Sequence, residues 1–92
     1  MSAQPLDDPR RKRILYRAAH RGTKEADAII GGYFADAAAT LPTEKLAEAE
    51  ALLDLPDLDL LDWIMGRQPV PEQCQGTVFE GILSFYRAMG KR

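Results

Sequence analysis

The stretch Ala26–Ala37, ADAIIGGYFADA, decides the fold. Ala26, Ile29, Ile30, Tyr33, Phe34 and Ala37 fall at positions i, i+3, i+4, i+7, i+8 and i+11, which is one apolar stripe on an α-helix. Gly31 and Gly32 interrupt this pattern with poor helix formers, each costing up to about 1 kcal/mol relative to alanine. They are expected either to let another helix approach closely or to mark a bend. The helix is expected to end in the TLPT that begins at Thr40, because the residue before Pro42 is disfavoured in the α region.

Working outward, the same periodicity continues in both directions, and strand-like alternation of useful length is missing. On the N-terminal side, Thr23 reads as the N-cap of this helix and Gly22 as the C′ residue of the one before it. That first helix opens with Asp8 as N-cap and Pro9 at the first helical position. Its RRKRILYRAAH segment places Ile14, Leu15, Ala18 and Ala19 on one face. On the C-terminal side, Thr43 is expected to cap a third helix with Leu46, Ala49, Leu52 and Leu53 inward, stopped by Pro56. Asp57 is expected to cap a short fourth helix with Leu58, Leu61, Ile64 and Met65 in the core and Trp63 as a partly buried anchor, ended by Gly66. After the proline-marked RQPVPEQ loop, a last helix runs from about Gln73 or Gly76 to Met89, with Val78, Phe79, Ile82, Leu83, Tyr86 and Met89 as its stripe. Gly90 and two basic residues follow it, which suits the helix dipole. The expected architecture is all-α: a compact, five-helix, bundle-like single domain over residues 1–92, with residues 1–7 flexible.

Composition narrows the possible functions. The 92 residues carry a net charge of −2, but unevenly. Residues 1–25 hold seven Lys/Arg against three acids, whereas residues 26–72 hold ten acids against Lys45 and Arg67 alone. A basic first helix on an acidic body suggests a polar contact surface. No apolar run approaches the roughly 20 residues that a membrane span needs, so membrane insertion is not expected. The N-terminal MSAQPLDDPRRKR lacks the apolar centre of a signal peptide and is short and acidic for a transit peptide. A bacterial cytoplasm, or a mitochondrial matrix after processing, is the expected location. The single cysteine, Cys74, has no internal disulfide partner, and one His with one Cys does not make a structural zinc site.

Catalytic constellations are sparse. Ser2 and Ser84 lack His and Asp partners, His20 is the lone imidazole at a helix end, and Cys74 stands without a base. No glycine-rich loop follows a strand, so a nucleotide cradle is not expected. The RGTKE of residues 21–25 is first a helix corner: Gly22 and Thr23 are caps, and Arg21 and Glu25 complement the two helix dipoles. It also exposes backbone at Gly22 between opposite charges, a shape that can enter a partner's cleft. Trp63 and the Arg67–Pro71 loop are secondary interface candidates, since tryptophan and arginine often anchor interfaces. Two rival readings remain at this point. A small helical DNA-binding regulator would use the RRKR run and the helix corner, although the acidic body opposes it. A generic interaction module would offer an apolar stripe to another helix.

Three segments taken together, RRKRILYRAAHRGTKEAD, YFADAAATL and LLDLPDLDLLDWIMGRQPVP, carry a family likeness over roughly residues 10–71. The chain resembles the FAD assembly factors of succinate dehydrogenase, the assembly factor 2-like flavinylation factors, which are small five-helix proteins of bacteria and mitochondria. The family's RGxxE element corresponds to Arg21, Gly22 and Glu25, followed by an acid at Asp27. His20 departs from the pattern by standing where members often carry another basic residue, Gly31-Gly32 is unusual, and the last helix matches only in amphipathic character. The resemblance implies an assembly chaperone that binds the flavoprotein subunit of succinate dehydrogenase, and often of fumarate reductase, and promotes covalent attachment of FAD to a histidine of that subunit. It implies that the chain is not itself an enzyme, that FAD is carried by the partner and that the chain binds no cofactor itself; a third rival, a catalytic flavin-transfer enzyme, would have to bind FAD alone. It implies partner contacts at the Arg21, Gly22 and Glu25 motif and the following Asp27; the neighbouring His20 is taken with them, and Trp63 and Arg67 stay secondary candidates.

Overall fold

The computed structural model describes residues 8–90, so the expectation for residues 1–7 and the two basic residues after Gly90 fall outside the described residues. Helix α1 is Pro9–Ala19. The Asp8 carboxylate accepts from the Arg10 backbone N–H, with Pro9 at the first position, as expected. A second helical rod follows. It starts as α2, Lys24–Ala26, capped by Thr23, whose hydroxyl accepts from the Ala26 N–H. It passes through a π turn, Asp27–Gly31, and continues as α3, Gly32–Ala37, without leaving right-handed helical backbone angles. A 3₁₀ turn, Thr43–Lys45, leads into α4, Leu46–Leu53. Then come α5, Asp57–Ile64, a second 3₁₀ turn, Glu72–Cys74, and α6, Thr77–Met89. The fold is all-α, with five helical rods and no strand among the described residues.

The π turn explains how the second rod departs from its expected stripe. One extra residue in a helical turn rotates everything after it by about one position. Accordingly Ala26, Ile29, Ile30, Phe34 and Ala38 are buried, while Tyr33 is only partly so. Gly31 and Gly32 turn out to serve close approach from two sides. A Cβ on Gly31 would lie 3.1 Å from the Ala19 Cα, against the end of α1. A Cβ on Gly32 would lie 2.7 Å from the Phe85 ring of α6. The rod is thus clamped between α1 and α6, both of which also pack on α4, and α6 packs on α5 as well. The buried side chains form one cluster led by Phe34, Phe79, Ile14, Ile30, Leu46, Leu60 and Ile82. Burying each such side chain contributes about 1.5–3 kcal/mol.

Four local expectations are corrected. Helix α1 ends at Ala19 with His20 as C-cap, so Gly22 lies two residues past the cap and not at C′. Thr43 makes no side-chain cap; it starts the 3₁₀ turn, and Pro42 is the last extended residue before it. Asp57 is the first helical residue of α5 and not its cap, because its carboxylate is bonded to Arg21. Leu58 is 71% exposed, and Leu60 takes its expected place in the core beside Leu61 and Ile64. A fifth is Ala19, which is exposed, while the last helix starts at Thr77 with Gly76 as N-cap, the later of the two expected starts.

Candidate functional site

The basic face of α1 lies along the acidic side of α4 and the α4–α5 corner. Arg10 holds the Glu50 carboxylate with two bonds, at 3.0 and 2.8 Å. One helical stretch on, Arg17 pairs with Asp54, and then Arg21 pairs with Asp57 at 2.7 Å. Arg11 donates to the Ala38 carbonyl at 3.0 Å. The charge asymmetry of the sequence is therefore largely neutralised inside the molecule, leaving Lys12, Arg13 and Lys24 as exposed cations of this region. The hydrogen bond from Arg10 holds the Glu50 carboxyl below the usual carboxylate range, and the neighbouring charges of Arg10, Arg13 and Arg17 act in the same direction.

Arg21 is the central element of the corner. Its side chain is only 9% exposed. Its guanidinium donates to Asp57 Oδ1 at 2.7 Å, to the Leu53 carbonyl at 2.8 Å and to the Leu55 carbonyl at 3.0 Å. These carbonyls sit at the end of α4, where backbone acceptors have no partner within the helix. Its backbone N–H donates to the Asp27 carboxylate at 2.6 Å. A planar guanidinium with donors in a fixed fork suits this three-way bridge in a way a lysine would not. One side chain thus fixes the corner between α1 and α2 against the corner between α4 and α5.

Gly22 is held beyond this bridge at φ 111°, in the region that side chains disfavour, and a Cβ there would meet nothing within 4 Å. Glu25 is exposed in the first turn of α2 and has no hydrogen-bond or ion-pair partner among the described residues. His20 is exposed, stacks on Tyr16 with ring centroids 3.9 Å apart, and places Nδ1 2.8 Å from the Tyr16 carbonyl. A carbonyl only accepts, so Nδ1 carries the proton and Nε2 is the free nitrogen. His20, Gly22 and Glu25 are thus brought together as an open tip, while Arg21 and Asp27 form its internal support.

Trp63 and Arg67 are not part of this tip. Trp63 is six residues beyond Asp57 along α5, a rise of about 9 Å, and packs partly buried against the core. Arg67 donates to Asp62 at 2.7 Å and contacts the Met65 sulfur at 3.0 Å, so it braces the end of α5. An apolar recess of about 280 Å³ lies between α4 and the Glu72–Cys74 turn, lined by Ala51, Leu52, Leu55 and Cys74 with Glu48, Gln73 and Gln75 at its rim. This is at the small end of pockets that take small molecules, which run from about 300 to 1,000 Å³. No group of three or more metal-ligating side chains occurs among the described residues, and no described helix is long and apolar enough to cross a membrane. Of the two roles the sequence leaves open for Arg21, a partner's carboxylate or the stability of the corner, the structure shows bonds of the second kind; the particular acceptors, 32–36 residues away, had no local signal.

A five-rod domain with a braced, open corner at an Arg-Gly-x-x-Glu element defines a class of small all-α proteins. The chain belongs to the Sdh5 family, flavinator of succinate dehydrogenase, whose model matches residues 12–86. It is 47% identical over 64 residues to the FAD assembly factor SdhE of Acetobacter pasteurianus, covering 70% of this chain and 59% of that relative. It is 35% identical over 75 residues to the mitochondrial succinate dehydrogenase assembly factor 2 of Dictyostelium discoideum, covering 76% and 50% respectively. For the mitochondrial succinate dehydrogenase assembly factor 2 of Schizosaccharomyces pombe, identity is 31% over 77 residues, covering 83% and 55%. The chain thus spans between half and three fifths of the length of these curated relatives.

Proposed function

We propose that the chain is an assembly chaperone that binds the flavoprotein subunit of succinate dehydrogenase and promotes covalent attachment of FAD to a histidine of that subunit. The observation that carries this reading is the corner itself. Arg21 bridges three acceptors across two helix junctions, and this rigid base presents Gly22, with no side chain, next to an unpaired Glu25 carboxylate. Binding energy is conserved when a contact surface is already ordered before docking. Gly22 allows the backbone to approach the partner closely, Glu25 contributes a charged hydrogen-bond acceptor, and His20 lies on the rim of the same tip.

In this account the chain performs no chemistry of its own, and the flavin is carried by the partner. Its residues act by binding one arrangement of the flavoprotein's domains better than the others, which shifts the population toward the reactive one. Holding flavin and histidine at bonding distance is then worth a large part of the barrier. We place the work in the bacterial cytoplasm or the mitochondrial matrix; the word mitochondrial in the names of the Dictyostelium and Schizosaccharomyces relatives supports the second setting. The use of Arg10, Arg11, Arg17 and Arg21 in internal bonds supports a protein partner over a phosphate backbone, which would require those cations to be free.

The test is covalent flavin on the flavoprotein subunit, read as fluorescence that survives denaturation, in cells with this chain, without it, and with Glu25→Ala. Loss in the second and third cases supports the role. Full flavinylation without the chain would overturn it. The fumarate reductase subunit is assayed in the same cells as a second client.

A further inference from the structure

Two large apolar side chains are mostly exposed among the described residues: Tyr16, at 64%, and Leu58, at 71%. Single exposed apolar residues are ordinary on a protein surface. The position of these two is what sets them apart. Leu58 directly follows Asp57, the carboxylate that Arg21 holds at 2.7 Å. Tyr16 is one helical turn before His20 and stacks on it, and His20 directly precedes Arg21 in the chain. Consecutive Cα atoms are about 3.8 Å apart, so Leu58 begins one such step from the residue that touches Arg21.

Both side chains stand on backbone that is already fixed. The turn before Leu58 is held by the bonds from Arg21 to the Leu53 and Leu55 carbonyls, and α5 closes its first turn with Leu60 N–H donating to the Pro56 carbonyl at 3.1 Å. A leucine presented to water on an ordered scaffold gains on docking without further ordering of its backbone. The surroundings of Leu58 are acidic, whereas Tyr16 stands among basic residues, with Lys12 and Arg13 exposed about one turn before it. Asp59 and Glu25 are exposed without ion-pair partners among the described residues, and Asp54 is largely exposed although bonded to Arg17. An apolar knob with an acidic collar is complementary to an apolar recess with a basic rim.

We infer that Leu58 and Tyr16 are the apolar anchors of the docking surface whose polar tip is Gly22–Glu25, and that Leu58 enters an apolar recess, rimmed by lysine or arginine, on the flavoprotein subunit. This rests on the reading that the corner docks on that subunit. Arg21 then has a second consequence: by tying the α1–α2 corner to the α4–α5 corner, it fixes the spacing between the polar tip and the leucine anchor.

The experiment is a titration of the purified flavoprotein subunit with the full chain, comparing wild type, Leu58→Asp, Leu58→Met and Tyr16→Ser, with thermal melts of each. Leu58→Asp and Tyr16→Ser are each expected to raise the Kd about tenfold or more, the loss typical of an interface anchor, with melting temperatures close to wild type. Leu58→Met is expected to retain binding. Wild-type binding with both polar variants unchanged, while Glu25→Ala still abolishes flavinylation, would overturn the anchors and leave the corner reading intact. Failure of the wild-type chain to bind the subunit would overturn both. Variants that abolish only self-association in sedimentation would make this face a contact between copies of the chain, and the inference would be wrong.

Discussion

Replacing Arg21 with alanine is the most informative perturbation of the fold. It removes a side chain that is 9% exposed and makes three bonds, to Asp57, Leu53 and Leu55. Hydrogen bonds to charged groups contribute about 1.5–3 kcal/mol, and breaking a buried ion pair costs about 3–5 kcal/mol. These figures overlap and do not add. Asp57 is 21% exposed in its side chain and would be partly rehydrated, so the lower end applies. The expected cost is about 3 kcal/mol, and at about 4–8 °C per kcal/mol for a domain of this size the melting temperature should fall by about 12–24 °C. Arg21→Lys keeps the charge but lacks the fork, and should lose about half as much. Asp57→Asn should lose about 1 kcal/mol, because the two carbonyl bonds survive. Glu25→Ala, which removes a partnerless exposed side chain, should stay within about 0.5 kcal/mol of wild type. The assay is a thermal melt by circular dichroism with urea unfolding as a check. An Arg21→Ala protein melting within a few degrees of wild type would refute the claim that this side chain rigidifies the corner.

Three further outcomes follow from the geometry. Gly22→Ala should cost about 1–2 kcal/mol through backbone strain at φ 111° alone, since the added carbon meets no neighbour, and this is read from the melt. Gly31→Ala should destabilise more than Gly32→Ala, by about 1–3 kcal/mol for the former, because its new carbon meets the α1 backbone, whereas the Phe85 ring facing Gly32 can turn aside. Glu50→Gln should reduce stability at pH 7. The folded carboxyl of Glu50 is depressed by Arg10, so its contribution is present above the unfolded value of about 4.3 and is lost as pH falls through the lower folded value. The difference between variant and wild type in urea unfolding should therefore close below about pH 4.

Much of the fold was legible in local signals. Asp8-Pro9 and Thr23 cap helices where their chemistry says they should, the stripe of α4 is buried, and that of α6 is buried at Val78, Phe79 and Ile82 and partly buried at Leu83, Tyr86 and Met89. The errors share one cause, which is that a side chain's destination depends on what packs against it. Asp57 has the chemistry of an N-cap but is bonded to an arginine 36 residues earlier. Leu58 and Leu60 flank one position in an acidic-leucine run, and only the docking of α5 on α6 decides which is buried. The π turn between Asp27 and Gly31 is invisible to a fixed 3.6 period, although the two glycines correctly marked a close approach. At the candidate site, Gly22 and Glu25 were legible as an exposed tip. A corner-stabilising role for Arg21 was one of two open readings, but its acceptors at Leu53, Leu55 and Asp57 were not legible, because they are revealed only when distant turns meet; nor was the bond from its backbone N–H to Asp27.

The central claim is that the Gly22–Glu25 tip acts on the flavoprotein subunit. It is tested most directly by mixing the purified apo-subunit, FAD and this chain, and following covalent flavin with time. Wild-type chain should accelerate attachment, and Gly22→Arg, which adds bulk where nothing lies within 4 Å in the chain itself, should remain folded and fail to do so. Equal acceleration by a folded Gly22→Arg protein would contradict the account.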